Sequence, residues 1–143
     1  MKPLLFIAAL AVFVLGGCDA RKDTTRPESI AIAFFDALYN QADADTAMTF
    51  VNEELRDVMR HYRIASQIQR NVIGLSLDEA ELSIGEVEID FFRRNTQQVE
   101  VLVRFNGVRD HRQIRDDRLI RLERMGEKWV ITHLYSDPFQ TNG

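Results

Sequence analysis

The sequence is poor in cysteine and histidine, and each shortage excludes a class of site. Its 143 residues include one Cys and three His. A lone Cys cannot close an intramolecular disulfide, and no two His stand three or four residues apart, which is the spacing of a helical zinc site. Beyond residue 17 every glycine stands singly, so the chain has no glycine-rich loop that would hold a phosphate. We therefore expect no metal and no cofactor.

Positive charges are outnumbered by negative ones. The chain has 18 basic and 22 acidic residues, for a net charge of −4 at pH 7. Nucleic-acid binding depends on clustered Lys and Arg that neutralise phosphates. The charge balance therefore predicts no nucleic-acid partner, and the length predicts one folded domain.

The one long apolar run is too short to span a bilayer. It covers residues 4–15 after a basic start at Lys2, whereas a transmembrane helix needs about 20 apolar residues. The segment that closes it, Leu15-Gly16-Gly17-Cys18, resembles the lipobox of bacterial lipoproteins. The resemblance implies that residues 1–17 are a signal peptide and that Cys18 carries acyl chains such as palmitate. The alternative is a structural Cys at the end of an uncleaved helix, which the two glycines disfavour.

A lipidated Cys18 would anchor the protein in the bacterial cell envelope, with its domain facing the periplasm. Residues 18–26 would then be the lipidated Cys and a polar tether, whose last eight residues reach at most about 29 Å. Asp19 resembles the residue that retains lipoproteins in the inner membrane of many enteric bacteria, although the outer membrane is the other option. The membrane is thus an expected partner, through the lipid anchor.

Helical periodicity fills the first half of the mature chain. Thr25 is predicted to cap a first helix with Pro27 in its first turn, and Asp45 to cap a short second one. Asn52 starts a third helix, and a last stretch from about residue 64 stops at Gly74.

After Gly74 the apolar period changes from helical to alternating. The first predicted strand has a bulge at Gly85-Glu86, and a second follows the polar turn of residues 93–96. Turns at Asn106-Gly107 and around Gly126 lead into a third and a fourth strand. The predicted fold class is α+β, with N-terminal helices packed against a curved four-stranded antiparallel sheet.

The opening helix AIAFFDALYNQAD and the closing MGEKWVITHL resemble the nuclear transport factor 2-like, or cystatin-like, superfamily. The resemblance implies that residues 27–143 form a cone whose sheet wraps the first helix around a pocket. We expect the face of the last strand that carries Ile131 to turn inward. The side chains expected to line the pocket are Tyr39, Tyr62, Trp129, His133 and Tyr135.

His133, with Tyr39, Tyr62 and Tyr135 near it, is the candidate for acid–base chemistry in that pocket. Glu86, Glu88 and Asp90 have the parity opposite to the apolar residues of their strand, so they are expected to face water. A partly buried, hydrogen-bonded His133 is the favoured interpretation, and an isomerase- or hydrolase-like enzyme is the alternative.

Six arginines recur at every third position from 109 to 124. In a strand this spacing alternates between the two faces, so the six cannot form one stripe. A charged, solvated hairpin is the favoured interpretation. The functional alternative is docking of Arg112, Arg115 and Arg118 to anionic headgroups or an acidic partner.

These features predict a lipid-anchored envelope protein that binds a protein partner or a small apolar ligand and performs no catalysis. An assembly subunit whose open sheet face dimerises is a third interpretation, and the sequence does not give the oligomeric state.

Overall fold

The computed structural model describes residues 25–89 and 97–135. The helices are α1 (Pro27–Tyr39), α2 (Ala44–Met48), α3 (Glu53–Tyr62) and α4 (Ala65–Ile68), and a π-helical segment (Gln69–Ile73) extends α4. The strands are β1 (Glu79–Ile89), β2 (Gln98–Arg109), β3 (Arg112–Met125) and β4 (Lys128–Leu134). They form one antiparallel sheet in the order β1-β2-β3-β4. The predicted α+β fold class is confirmed.

Two regions of the sequence predictions lie outside the described residues. The signal peptide, Cys18, Asp19 and most of the tether precede residue 25, and Asp90 and the turn at 93–96 fall in the internal gap. Among the helices that the structure describes, none combines the length and the apolar composition that a membrane crossing requires.

Local side-chain chemistry sets the helix ends, in two cases one or two residues from the predicted position. The N-cap position of α1 is occupied by Arg26, which makes no side-chain capping bond, and Pro27 is the first helical residue, so the prediction of Thr25 as cap was wrong. The α2 cap is Asp43, whose carboxylate accepts from the Thr46 amide, because Asp45 already lies inside the helix. The Asn52 cap of α3 is confirmed by its bond from the Leu55 amide at 3.0 Å. The stop at Gly74 is confirmed by its left-handed φ of 72°.

One predicted turn is wrong, and packing explains why. β2 continues through Gly107 to Arg109, and the chain reverses at Asp110 and His111, both of which have positive φ. Gly107 pairs with Ala80 on β1, where an added Cβ would meet the Glu79 carbonyl oxygen at 2.5 Å. The glycine therefore permits a close backbone approach rather than a turn. The predicted bulge at Gly85 and the turn at Gly126 are confirmed.

The core lies between α1 and the inner face of the sheet. Phe34 and Phe35 of α1 are fully buried, and the Phe35 ring meets the Phe105 ring of β2 edge to face at 4.9 Å. Along β2 the inner side chains alternate with outer ones, and Val99, Val101, Val103 and Phe105 are all buried. The outer face of the sheet has no helix over it among the described elements. A functional surface can therefore form on that face.

We predict that Gly107→Ala lowers the free energy of unfolding by about 1 to 3 kcal/mol, because the new methyl group overpacks against backbone. Urea unfolding followed by circular dichroism measures the change. Gly85→Ala is the matched control, since its Cβ would meet only side-chain atoms of Arg104 and Leu102, which can shift. An equal loss in both variants would contradict this account of Gly107.

Candidate functional site

Tyr39 belongs to the core. It lies on α1, only 4% exposed, and its ring packs against Phe105 at 5.1 Å. Its hydroxyl donates to the Leu75 carbonyl oxygen at 2.6 Å. Burial raises the pKa of Tyr39 well above its usual range, against the weaker lowering effect of the Arg118 charge. The phenol is therefore neutral and holds the chain after the π-helical segment to α1.

A bulge in β4 reverses the direction of His133. Ile131 is buried and pairs with Leu122, but the register then shifts, so that His133 lies opposite Arg121 and Leu134 opposite Ile120. Since Ile120 and Leu122 face inward, His133 faces outward, and it is exposed. The expectation that His133 shares the inner face with Ile131 was wrong, because the extra residue, Thr132, inverts the alternation.

The five predicted pocket residues do not come together. Tyr62 is half-buried on α3 with its ring 5.1 Å from that of His61. Trp129 is half-buried at the start of β4 and packs against the core. Tyr39 lies on the inner side of the sheet, whereas His133 is on the outer side. No single pocket can therefore contain both.

On the outer face, Tyr135 joins a polar cluster that links three strands or their ends. Its hydroxyl donates to Oε1 of Glu100 on β2 at 2.7 Å and accepts from Nη2 of Arg121 on β3. Arg121 also pairs with Glu100 at 3.2 Å. The His133 ring meets the Tyr135 ring edge to face at 4.4 Å. We call Glu100, Arg121, His133 and Tyr135 the outer polar cluster.

The electrostatics of the outer polar cluster do not suit proton abstraction. The pKa of Tyr135 is raised, first by burial and then by the hydrogen bond and the negative charge of Glu100, while Arg121 acts in the opposite direction. A phenol in this state keeps its proton. The Glu100 carboxylate is already engaged by Tyr135 and Arg121, so the cluster is suited to hold a fixed surface shape.

Arg118 is a buried structural residue. It is 7% exposed, and its guanidinium donates to the carbonyl oxygens of Ile73 at 3.0 Å and Gly74 at 3.1 Å. It also pairs with Asp116 at 3.0 Å. These bonds satisfy carbonyls at the end of the π-helical segment. Arg118 therefore cannot take part in the predicted docking surface, and that part of the prediction was wrong.

The neighbouring arginines lie on different faces, as their spacing predicts. Arg115 is exposed on the outer face opposite Asn106, whereas Arg112 has the parity of Arg118 and lies exposed at the start of β3. Arg115 borders an open groove of about 360 Å³ on the outer face. The other residues that line this groove are Glu81, Ser83, Arg104, Phe105, Asn106 and Asp117. The groove carries both signs of charge.

Sequence reasoning missed the outer polar cluster and the role of Arg118. Glu100 and Tyr135 are 35 residues apart, and no local pattern signals such a contact. Arg118 did carry a signal, because it has the strand parity of Ile120 and Leu122, both of which are buried. For metals, the described ranges contain no group of three or more His, Cys, Asp and Glu side chains suited to a metal ion.

Comparisons with known proteins show the fold and no more. No protein-family model matches the chain, and no curated protein matches it. Among solved structures, the chain is similar to a SEC-C motif-containing protein from Rhodopseudomonas palustris, with 12% identity, a TM-score of 0.57 and coverage of 79% of this chain and 80% of that one. A de novo designed β-sheet protein is 16% identical, with a TM-score of 0.39 over 80% of this chain and 89% of that one.

We predict that Arg118→Met lowers the free energy of unfolding by about 1 to 3 kcal/mol, because it leaves buried carbonyls unpaired. Arg115→Met is the control, with an expected change within about 0.5 kcal/mol for an exposed site. Chemical denaturation at neutral pH measures both. A loss for Arg115→Met as large as that for Arg118→Met would argue against the structural role.

We predict that Glu100→Gln lowers the pKa of Tyr135 towards its ordinary value, since the phenolate then no longer faces a carboxylate. The raised pKa contributes stability that is fully present below about pH 10 and is lost as the pH rises through the folded value. Ultraviolet difference titration, with Tyr135→Phe to assign the signal, measures the shift. An unchanged or higher pKa in Glu100→Gln would contradict the cluster.

Proposed function

We propose that this chain is a lipid-anchored protein of the bacterial cell envelope, whose domain binds a protein partner through the outer face of its sheet and catalyses no reaction. The anchor rests on the lipobox-like segment that ends in Cys18. The binding surface rests on one structural observation, which is the arrangement of side chains across β2 and β3.

Three cross-strand pairs on the outer face form an apolar centre between charged flanks. Leu102 lies opposite Leu119. On one side of this leucine pair Glu100 lies opposite Arg121, and on the other side Arg104 lies opposite Asp117.

The two leucines are half-buried although no described element covers them. An apolar centre with a polar rim is the usual anatomy of a protein interface. Arg121 and Tyr135 beside it are of the residue types enriched in binding hot spots.

The inner side of the sheet gives less support to a small apolar ligand. The space between α1 and β2 is filled by Phe34, Phe35 and Phe105, each at most 2% exposed. An open groove of about 390 Å³ lies between α1 and Ile84 of β1, and the charged residues Arg26, Glu28 and Asp36 are among those that line it. Phe34 and Phe35 also contact each other edge to face at 5.0 Å. A ligand would have to displace side chains packed at interior density. Of the two kinds of ligand that the sequence suggests, the protein partner is therefore favoured.

The residues that the enzymatic alternative requires do not lie together. It needed the His133 imidazole inside a pocket, near Tyr39 and Tyr62, and His133 is exposed on the other face of the sheet. The one phenol that His133 does contact, Tyr135, has a raised pKa and is hydrogen-bonded to Glu100. No second function is proposed.

Photo-crosslinking in the cells that produce the protein tests the surface. A photoreactive residue at Leu119 is expected to give one discrete adduct, and Leu102→Glu is expected to reduce it at least tenfold, because a charge replaces the apolar centre. The control position is Asp45, exposed on α2, which is expected to give no such adduct.

Adducts of the same mass at both positions, or none at Leu119, would overturn the binding proposal. The anchor is tested separately by Cys18→Ala, which is expected to abolish acyl-chain labelling of the protein. Acylation that persists in this variant would contradict attachment at Cys18.

A further inference from the structure

The chain around the connection between α3 and α4 is basic and has no acidic residue. From residue 58 to residue 77 the sequence contains three Arg and one His, with no Asp or Glu, although the whole chain has a net charge of −4. We call five exposed side chains of this stretch the α3–α4 corner. They are Val58, His61, Arg63, Ile64 and Arg70.

The charges of Arg63 and Arg70 are not neutralised by an ion pair within the described ranges. Arg60, on the same helix, is paired with Asp57 at 3.0 Å and Glu53 at 3.2 Å. Arg63 and Arg70 are exposed and form no ion pair with any residue in the described ranges. The acids of α3, which are Glu53, Glu54 and Asp57, all precede Val58, and the ion pairs with Arg60 involve Glu53 and Asp57. The corner therefore presents uncompensated positive charge.

Apolar side chains are exposed in the same stretch, and Ile64 directly follows Arg63. Val58 is 45% exposed and Ile64 is 56% exposed, and they account for two of the three large apolar residues exposed in the described part of the chain. Exposed aliphatic surface is unfavourable in water. Its transfer into the boundary between headgroups and acyl chains lowers the free energy. Basic and apolar side chains side by side are the composition of a surface that binds at a membrane interface.

Arg63 occupies a backbone conformation that favours glycine. Its φ is 64° and its ψ is −37°, and a non-glycine residue pays conformational energy there. The arginine is thus present at a position where local backbone energetics disfavour it. A role for its side chain outside the fold gives a physical reason for that choice.

We infer that the α3–α4 corner docks on the anionic headgroup surface of the membrane that holds the lipid anchor. This inference rests on the proposed function, because the anchor at Cys18 and a tether of at most about 29 Å keep the domain near the bilayer. Docking of this side leaves the outer sheet face free for a protein partner. The β3 arginines fit an anionic surface less well, because Asp110, Asp116 and Asp117 lie among them.

The test uses the full-length lipidated protein, purified from membranes and reconstituted in phosphatidylcholine vesicles with or without phosphatidylglycerol. Ser66→Cys places one fluorophore on α4 beside the corner, since Cys18 is blocked by its lipid. An environment-sensitive label is expected to shift to the blue only with phosphatidylglycerol, and the shift is expected to disappear in high salt. Intact mass spectrometry reports whether Cys18 carries the lipid.

Charge reversal locates the docking surface. R63E/R70E is expected to lower the ratio of docked to undocked protein by at least about 25-fold. The reason is that each positive charge lost at an anionic surface lowers this ratio about fivefold, and two are lost. R112E/R115E makes the same change in net charge at two exposed arginines of β3 and is expected to leave the ratio within about twofold, because the protein is already anchored. The reverse result would assign docking to β3 and overturn the inference.

Arg63→Gly separates docking from folding. Glycine relieves the positive φ, so the thermal midpoint is expected to stay or rise, whereas the docked ratio is expected to fall about fivefold. A midpoint that falls together with docking would assign Arg63 a structural role and count against the inference. A blue shift of equal size without phosphatidylglycerol, or none in protein that carries the lipid, would overturn it. A Cys18 without lipid would overturn the anchor and the docking that depends on it.

Discussion

The rest of the structure depends on the packing of α1 across the inner face of the sheet. Two adjacent aromatic residues, Phe34 and Phe35, are both fully buried because the sheet and the shorter helices enclose α1. Phe105 of β2 and Tyr39 complete an edge-to-face array with them. This array fills the space between α1 and β2, so this part of the inner face stabilises the fold.

Polar bonds then fix the helical side against that core. Buried Gln69 donates to the Leu38 carbonyl and accepts from the Leu77 amide, which ties the π-helical segment to the end of α1. The Tyr39 hydroxyl holds Leu75, and Arg118 holds Ile73 and Gly74 from the side of the sheet. The irregular segment between the helices and β1 is thereby satisfied by side chains from three elements. Because the Arg118 guanidinium is buried in these bonds, it is not available at the surface.

Because the space between α1 and β2 is occupied, the recognition that we propose uses surfaces outside the core. The outer sheet face offers a leucine pair between two opposed charge pairs, with Tyr135 fixed by Glu100 and Arg121. The α3–α4 corner offers exposed aliphatic residues and two arginines that form no ion pair within the described ranges. The two surfaces differ in chemistry, since one is mixed in charge and the other is basic. In the proposed arrangement the domain would contact the bilayer and a protein partner through different surfaces.

The sequence by itself determined the elements, their order and the α+β class, because helical periodicity, caps at Asn52 and Gly74 and strand alternation are local properties. It also determined that arginines spaced by three cannot share one strand face. Only the tertiary structure decided which way the chain faces after Thr132, since one bulged residue inverts every later side chain. Only it decided that Gly107 lies in a strand, because the close approach of β1 comes from a distant segment. The outer polar cluster was equally beyond local pattern, since its members meet through strand register alone.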